Sequence, residues 1–205
     1  KVIDEVHGIY LEEFTKQFPN YFEKNHSKLF SLVTVLEKDE IKNIGMSKID
    51  DLLLDQWGLF FGSLLSNDAG RDMKNTGGLL RKPSMFSASN ATFNQTGSGA
   101  VGTLINVGNG LSTPVRDDFV PIGILQSLVS GNGGWNSGLG KVDIPASAIS
   151  TVNDTISQTA LYGQWYCNTP VSGVNTFLLS YDLLSTPVPV SIGENINVDY
   201  QMVLS

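Results

Sequence analysis

Few residues of this chain have the chemistry of a catalyst. His7, His26 and Cys167 are its only imidazoles and its only thiol in 205 residues. Those three are too few ligands for a Cys/His zinc site, and one cysteine closes no intrachain disulfide. Nucleophilic catalysis needs a Ser or Cys with a base in reach. Both histidines fall in stretches that read as solvated helix faces, and no Gly-x-Ser-x-Gly elbow occurs anywhere. Cys167 follows Trp165 and Tyr166 in an expected strand, where cysteine is usually a small buried hydrophobe. Glycoside hydrolysis needs two carboxylates that face each other, whereas Asp117 and Asp118 are adjacent and would point to opposite sides of a strand. A turn explains them better.

Gly97-Ser98-Gly99-Ala100-Val101-Gly102 matches the dinucleotide fingerprint in letters only, because a polar segment precedes it and a strand follows. Gly138-Leu139-Gly140-Lys141 lacks the hydroxyl residue of a phosphate loop and also enters a strand. The residues therefore point to a non-enzyme with no cofactor and no metal.

Two aromatic groups are better suited to binding. Trp57, Phe60 and Phe61, around the small-xxx-small pair Gly58 and Gly62, read either as core or as an anchor that docks on another chain. Trp135 and Asn136, in the Gly-rich stretch Gly131–Gly140, read either as a sugar-stacking ligand loop or as cover for a sheet edge. Asn25, Asn90, Asn94 and Asn153 each begin an Asn-x-Ser/Thr triplet.

These groups must be positioned by two kinds of element. Val2, Val6, Ile9, Tyr10 and Phe14 recur at helical spacing, and Phe18-Pro19 ends the run. From Tyr21 to Ile44 a second helix is favoured, with Leu32–Leu36 as an alternative short buried strand. Ser47 to Asp50 resembles a capping box ahead of a third helix carrying Leu53, Trp57, Phe60 and Leu64. After the flexible Gly77-Gly78 and Pro83 the pattern changes to short β-branched runs punctuated by Gly, Asn and Pro. Strands are expected at Val101–Val107, Phe119–Ile124, Lys141–Ile144, Ala160–Cys167, Thr176–Ser180, Val188–Ile192 and Ile196–Leu204. The expected fold class is α+β: an α-helical docking region over 1–82, then an antiparallel β-sandwich, jelly-roll-like or immunoglobulin-like, over 83–205.

Charge follows the same division. Charged residues are 16% of the whole chain, which carries a net −7. Residues 83–205 hold seven acids and two bases, Arg116 and Lys141, so their surface must stay wet through Ser, Thr, Asn and Gly. Such a surface has little to desolvate when it meets another, and few carboxylates make it insensitive to acid. No cationic footprint for nucleic acid is present, and no apolar run approaches the roughly 20 residues of a spanning helix.

Four segments carry a resemblance. Gly108-Asn109-Gly110-Leu111-Ser112-Thr113-Pro114-Val115-Arg116-Asp117-Asp118-Phe119 resembles the GxG-x-T-x-P-x-x-x-D-Y/F run of many virus and phage structural proteins. Thr155–Gly163 resembles their TI-x-E-x-G-L-F/Y strand, and Thr176–Asp182 stands where they have LLSRD. Pro187–Tyr200 is similar to their P-x-x-V-x-x-G-E-x-L-x-V-x-Y end. The likeness covers about half the chain, and it departs from the pattern at Gln158, Ala160 and Tyr181. What the resemblance implies is a non-enzymatic virion protein that assembles with itself, as a ring, and with portal, capsid or tail components, at a tail connector (adaptor) or a vertex. A receptor- or glycan-binding spike or fibre module is the alternative.

Overall fold

The computed structural model describes residues 28–38, 40–47, 52–59, 72–83, 102–120, 123–130, 133–137, 140–169 and 173–203. Its strands are β1 (Lys28–Glu37), β2 (Glu40–Met46), β3 (Leu52–Leu53), β4 (Met73–Lys74), β5 (Leu80–Pro83), β6 (Gly102–Gly108), β7 (Ile124–Ser130), β8 (Gly134–Asn136), β9 (Lys141–Ile149), β10 (Asp154–Thr169), β11 (Gly173–Val190) and β12 (Asn195–Val203). The strand pairs are antiparallel, and the path runs β2-β1-β12-β9-β7-β6-β10-β11-β3. β6, β7 and β9 form a meander and β10 returns beside β6, which is a Greek-key order.

The sheet curls until its two ends meet. After β2 the chain crosses from β1 to β11: Ser47 bridges Leu184, then Leu52 and Leu53 pair with Tyr181 and Ser180. Ser47 makes the hand-over. Its N–H donates to the Ser31 carbonyl at 2.9 Å, and its hydroxyl accepts from the Ser31 N–H at 3.0 Å, standing in for a ladder carbonyl. Closure needs glycine at position 45, where a Cβ would lie 2.7 Å from the Thr186 carbonyl oxygen and against the Val188 side chain.

The enclosed core takes one face from each long strand. Val33, Ile105, Leu128, Ala146, Leu161, Val188, Val198 and Tyr200 are all buried in it. A hydroxyl chain crosses this interior: Tyr200 donates to Thr159 Oγ1 at 3.1 Å, and Thr159 meets Ser31 Oγ at 2.6 Å. Three strands are thereby tied by groups that satisfy one another, as buried polar atoms must be.

Register defines two ends. At the upper end lie the β1–β2 turn, the β9–β10 and β11–β12 connections and the start of β7, since Leu36 pairs with Asn195, Asn195 with Ile149, and Asp154 with Val190. At the lower end the β4–β5 hairpin adds to β10 through Pro83 and Cys167, while its Thr76 N–H donates to the Thr176 carbonyl of β11. Met73 of that hairpin is fully buried against Trp165, Cys167, Phe177 and Leu179. The hairpin therefore plugs the lower opening.

Among the described residues the fold is antiparallel β with a helical stretch at 55–59. The helix favoured from Tyr21 to Ile44 is corrected over its described part, which forms β1 and β2. The reason is burial on both faces: Ser31, Val33 and Val35 are buried on one side, and Leu32, Thr34 and Leu36 on the other. Such a strand shows no polar alternation. Ser47 bridges to β11 instead of capping a helix, and the third helix is corrected at its start: Leu52 and Leu53 pair with β11 as β3, and the helical stretch begins only at Asp55. The expected strand Phe119–Ile124 is also corrected over its described part, since Phe119, Val120 and Gly123 are not strand and β7 starts at Ile124. The helix expected in the first 19 residues lies outside the described residues.

Candidate functional site

The upper end is a set of loops bonded to one another with apolar side chains left outside. Ser150 N–H donates to the Glu194 carbonyl and Gly193 N–H to the Ser150 carbonyl, at 2.8 and 2.9 Å. Asn153 Oδ1 accepts from the Ile192 N–H at 2.8 Å, and Gln126 Nε2 donates to the Ile149 carbonyl at 2.7 Å. These bonds hold at one end the loops that carry Ile149, 66% exposed, and Ile192, 63% exposed, with Ile124 two residues along the chain from Gln126. Glu194 anchors the loop beneath them. Its carboxylate accepts from the Ser191 N–H at 2.7 Å and pairs with Lys42, whose other neighbour is Glu37 at 3.6 Å. The hydrogen bond from Lys42, helped by the Ser191 amide, holds the Glu194 carboxyl below its usual range, and the same pairing raises Lys42.

The lower end presents the outer side of the plugging hairpin. Asn75 Oδ1 accepts from the N–H groups of Gly77 and Leu79 at 3.1 and 2.8 Å, while its amide donates to Asn175 Oδ1. Gln56 Oε1 accepts from the Lys74 N–H at 2.8 Å, so the stretch after β3 also holds the hairpin. Leu79 and Leu80 stay more than half exposed beside Arg81 and Lys82.

Residues 109–120 are clamped onto the outer side of β10 and β11. Tyr181 donates to Asp118 Oδ2 at 2.6 Å, and the same oxygen accepts from the Val115 N–H at 2.7 Å. Asp55 N–H donates to the Arg116 carbonyl, and the two side chains pair at 3.1 Å. Phe119 packs on Gly78 with the Lys74 ammonium 3.8 Å from its ring centre. Leu111 and Val115 are left exposed. Burial and the Asp118 carboxylate push the Tyr181 phenol far above its ordinary value, so it stays a donor. Two of the pattern segments, 63 residues apart, thus meet, and the position that carries Arg in the pattern bonds Asp118 as Tyr181.

Asn106, Gly108, Ile124, Gln158 and Ala160 line a narrow crevice where β6, β7 and β10 meet. Asn106 Oδ1 and both ends of the Gln158 amide are buried with no hydrogen-bond partner. The space is too narrow for a water molecule.

The candidate residues are divided by the fold. Trp57 is half-buried and packs on both the main core and the Met73 cluster. Phe60 and Phe61 lie outside the described residues. Trp135 is 56% exposed on β8, opposite Val142, and Asn136 pairs with Lys141. Trp57, packed in the core, and Trp135, exposed on β8, are not brought into one site. Lys141, from the phosphate-loop-like run, is buried with Asp143 and Gln201 at 2.9 and 3.1 Å. Asp118 belongs to the clamp and Asp117 is exposed. Cys167 is a buried core side chain, and burial pushes its thiol up to about 11. His7, His26, Asn25, Asn90 and Asn94 lie outside the described residues.

Among the described residues no three His, Cys, Asp or Glu side chains gather as a metal group, and no helix is long and apolar enough to cross a membrane. Sequence reasoning missed the isoleucines of the upper end and the leucines of the lower hairpin. An apolar residue next to turn chemistry, as in Ile192-Gly193 and Gly78-Leu79, was the available signal. Comparison with protein-family models, with curated proteins and with solved structures finds no match.

Proposed function

We propose that this chain is a non-enzymatic structural protein of a virus particle, one that associates with itself and joins neighbouring particle components at a tail connector or a vertex. The observation that supports it is the pair of braced ends, each with large apolar side chains in water on a charge-poor framework. Exposed apolar residues scattered singly are ordinary, but grouped ones on fixed loops suit a contact surface. Rigid loops lose little conformational entropy on docking. The pattern shared with virion proteins supplies the setting, and a jelly-roll-like or immunoglobulin-like sandwich is the finer fold assignment that goes with it.

Negative-stain electron microscopy of the purified full chain tests this reading. Regular rings or rods are expected, and isolated small particles at every concentration would contradict it. Exposure of Trp135 favours a second reading as a glycan-binding module, because an indole face in water stacks on sugars. Glycan-array binding that disappears in Trp135→Ala is the outcome that selects it.

A further inference from the structure

The two ends differ in charge as well as in position. Around the upper isoleucines the described residues include four acids, Glu37, Glu40, Asp154 and Glu194, against Lys38 and Lys42. Lys42 is held between Glu37 and Glu194, so this trio keeps a net single negative charge, and Glu40 and Asp154 against Lys38 bring the upper end to a small net negative balance. The lower hairpin itself has the opposite balance, with Lys74, Arg81 and Lys82 against Asp72, while the loop packed on it through Phe119 adds Arg116 against Asp117 and Asp118 and leaves the lower end weakly basic. Leu79 and Leu80 sit among those bases as Ile149 and Ile192 sit among the acids.

We infer that the partner of each end is the opposite end of a second copy of this chain, docked head to tail. This rests on the self-association proposed above and gives it a direction. Exposed leucines on a basic hairpin meet exposed isoleucines on a more acidic end, so contact buries the aliphatic groups while the charges attract. Upper-to-upper and lower-to-lower contacts set like charges against each other, which disfavours those wrong pairings. A contact between two different surfaces of the same chain is heterologous: it closes into a ring when the rotation between copies allows and otherwise runs on as a filament. The rims are at the surface, so their attraction acts mainly on association rate and direction and weakens with salt.

A charge-reversal exchange in the full chain tests the direction. Variant one carries Arg81→Glu and Lys82→Glu; variant two carries Glu37→Lys and Glu40→Lys. Sedimentation velocity should show each alone associating at least about tenfold more weakly than the unaltered chain, since its two ends now match in sign. An equimolar mixture should associate again, because each end then faces an opposite one. Circular dichroism and melting of each variant verify folding, and if either fails to fold, the neutral pairs Arg81→Gln with Lys82→Gln and Glu37→Gln with Glu40→Gln replace them. The neutral pairs should weaken association and flatten its salt dependence. Association of the unaltered chain that ignores both changes overturns the head-to-tail direction and leaves self-association standing. Weakening by only one variant, or a mixture that stays dissociated, also overturns the direction. An unaltered chain that is monomeric throughout overturns both.

Discussion

The upper and lower ends of the β fold solve one problem by different means. Below, the opening is filled from inside: Met73 enters the cluster of Trp165, Cys167, Phe177 and Leu179, and Trp165 stacks on Phe177 at 5.3 Å. Above, the loops hold one another through backbone and side-chain hydrogen bonds, with Glu194 at the centre. Apolar burial resists a wide range of conditions, whereas a charged anchor depends on protonation. Stability at the lower end should therefore follow packing, and at the upper end it should follow backbone fit and pH.

The largest break in that comparison is Phe177→Ala. The ring is fully buried in the plug, and its loss should cost about 3–5 kcal/mol in urea unfolding. Next comes Gly108→Ala at the upper end, where a Cβ would lie 2.6 Å from the Gly123 carbonyl oxygen. Overpacking there should cost about 1–3 kcal/mol, and a neutral result would show that these loops yield freely. Asn75→Ala removes the side chain that shapes the lower turn, and about 1 kcal/mol should be lost on thermal melting.

The smallest effect is confined to acid. Glu194 is held below its usual 4.5 in the folded state, so its contribution is complete above that value and is lost as pH falls through the folded pKa. Lys42 is raised above its usual 10.5, so its contribution persists below that value and is lost as pH rises through the folded pKa. Between these limits the pair contributes steadily. Glu194→Gln should flatten the decline in melting temperature below about pH 4.5, and an unchanged acid limb would remove Glu194 from the upper anchor. In this respect the acid-insensitive surface expected from sparse charge has an exception at one carboxylate.

What could be read in the sequence depended on whether a strand has a wet face. β12 was legible because Ile196, Val198 and Tyr200 point into the core and alternate with Asn197 and Asp199. β1 was legible only as the alternative short strand over Leu32–Leu36, because both its faces are buried and the run has no wet face to mark the alternation. Phe119 and Val120 look like the start of a strand, yet Phe119 serves a loop held under Lys74. The clamp between Tyr181 and Asp118 joins residues 63 apart, and no local pattern announces such a pairing. Nor does local pattern reveal that Ser47 trades a cap for a bridge to Leu184. Fold class was therefore legible from residue 102 onward, while the surfaces offered for contact emerged only once register had sorted the turns into two ends.

The central claim is that these two ends make this chain associate with itself. Sedimentation velocity of the unaltered chain across the micromolar range, at low and high salt, tests it most directly. The account predicts species heavier than the 22.2 kDa monomer that grow with concentration and recede as salt screens the rims. A single 22.2 kDa species at every concentration and salt would contradict it.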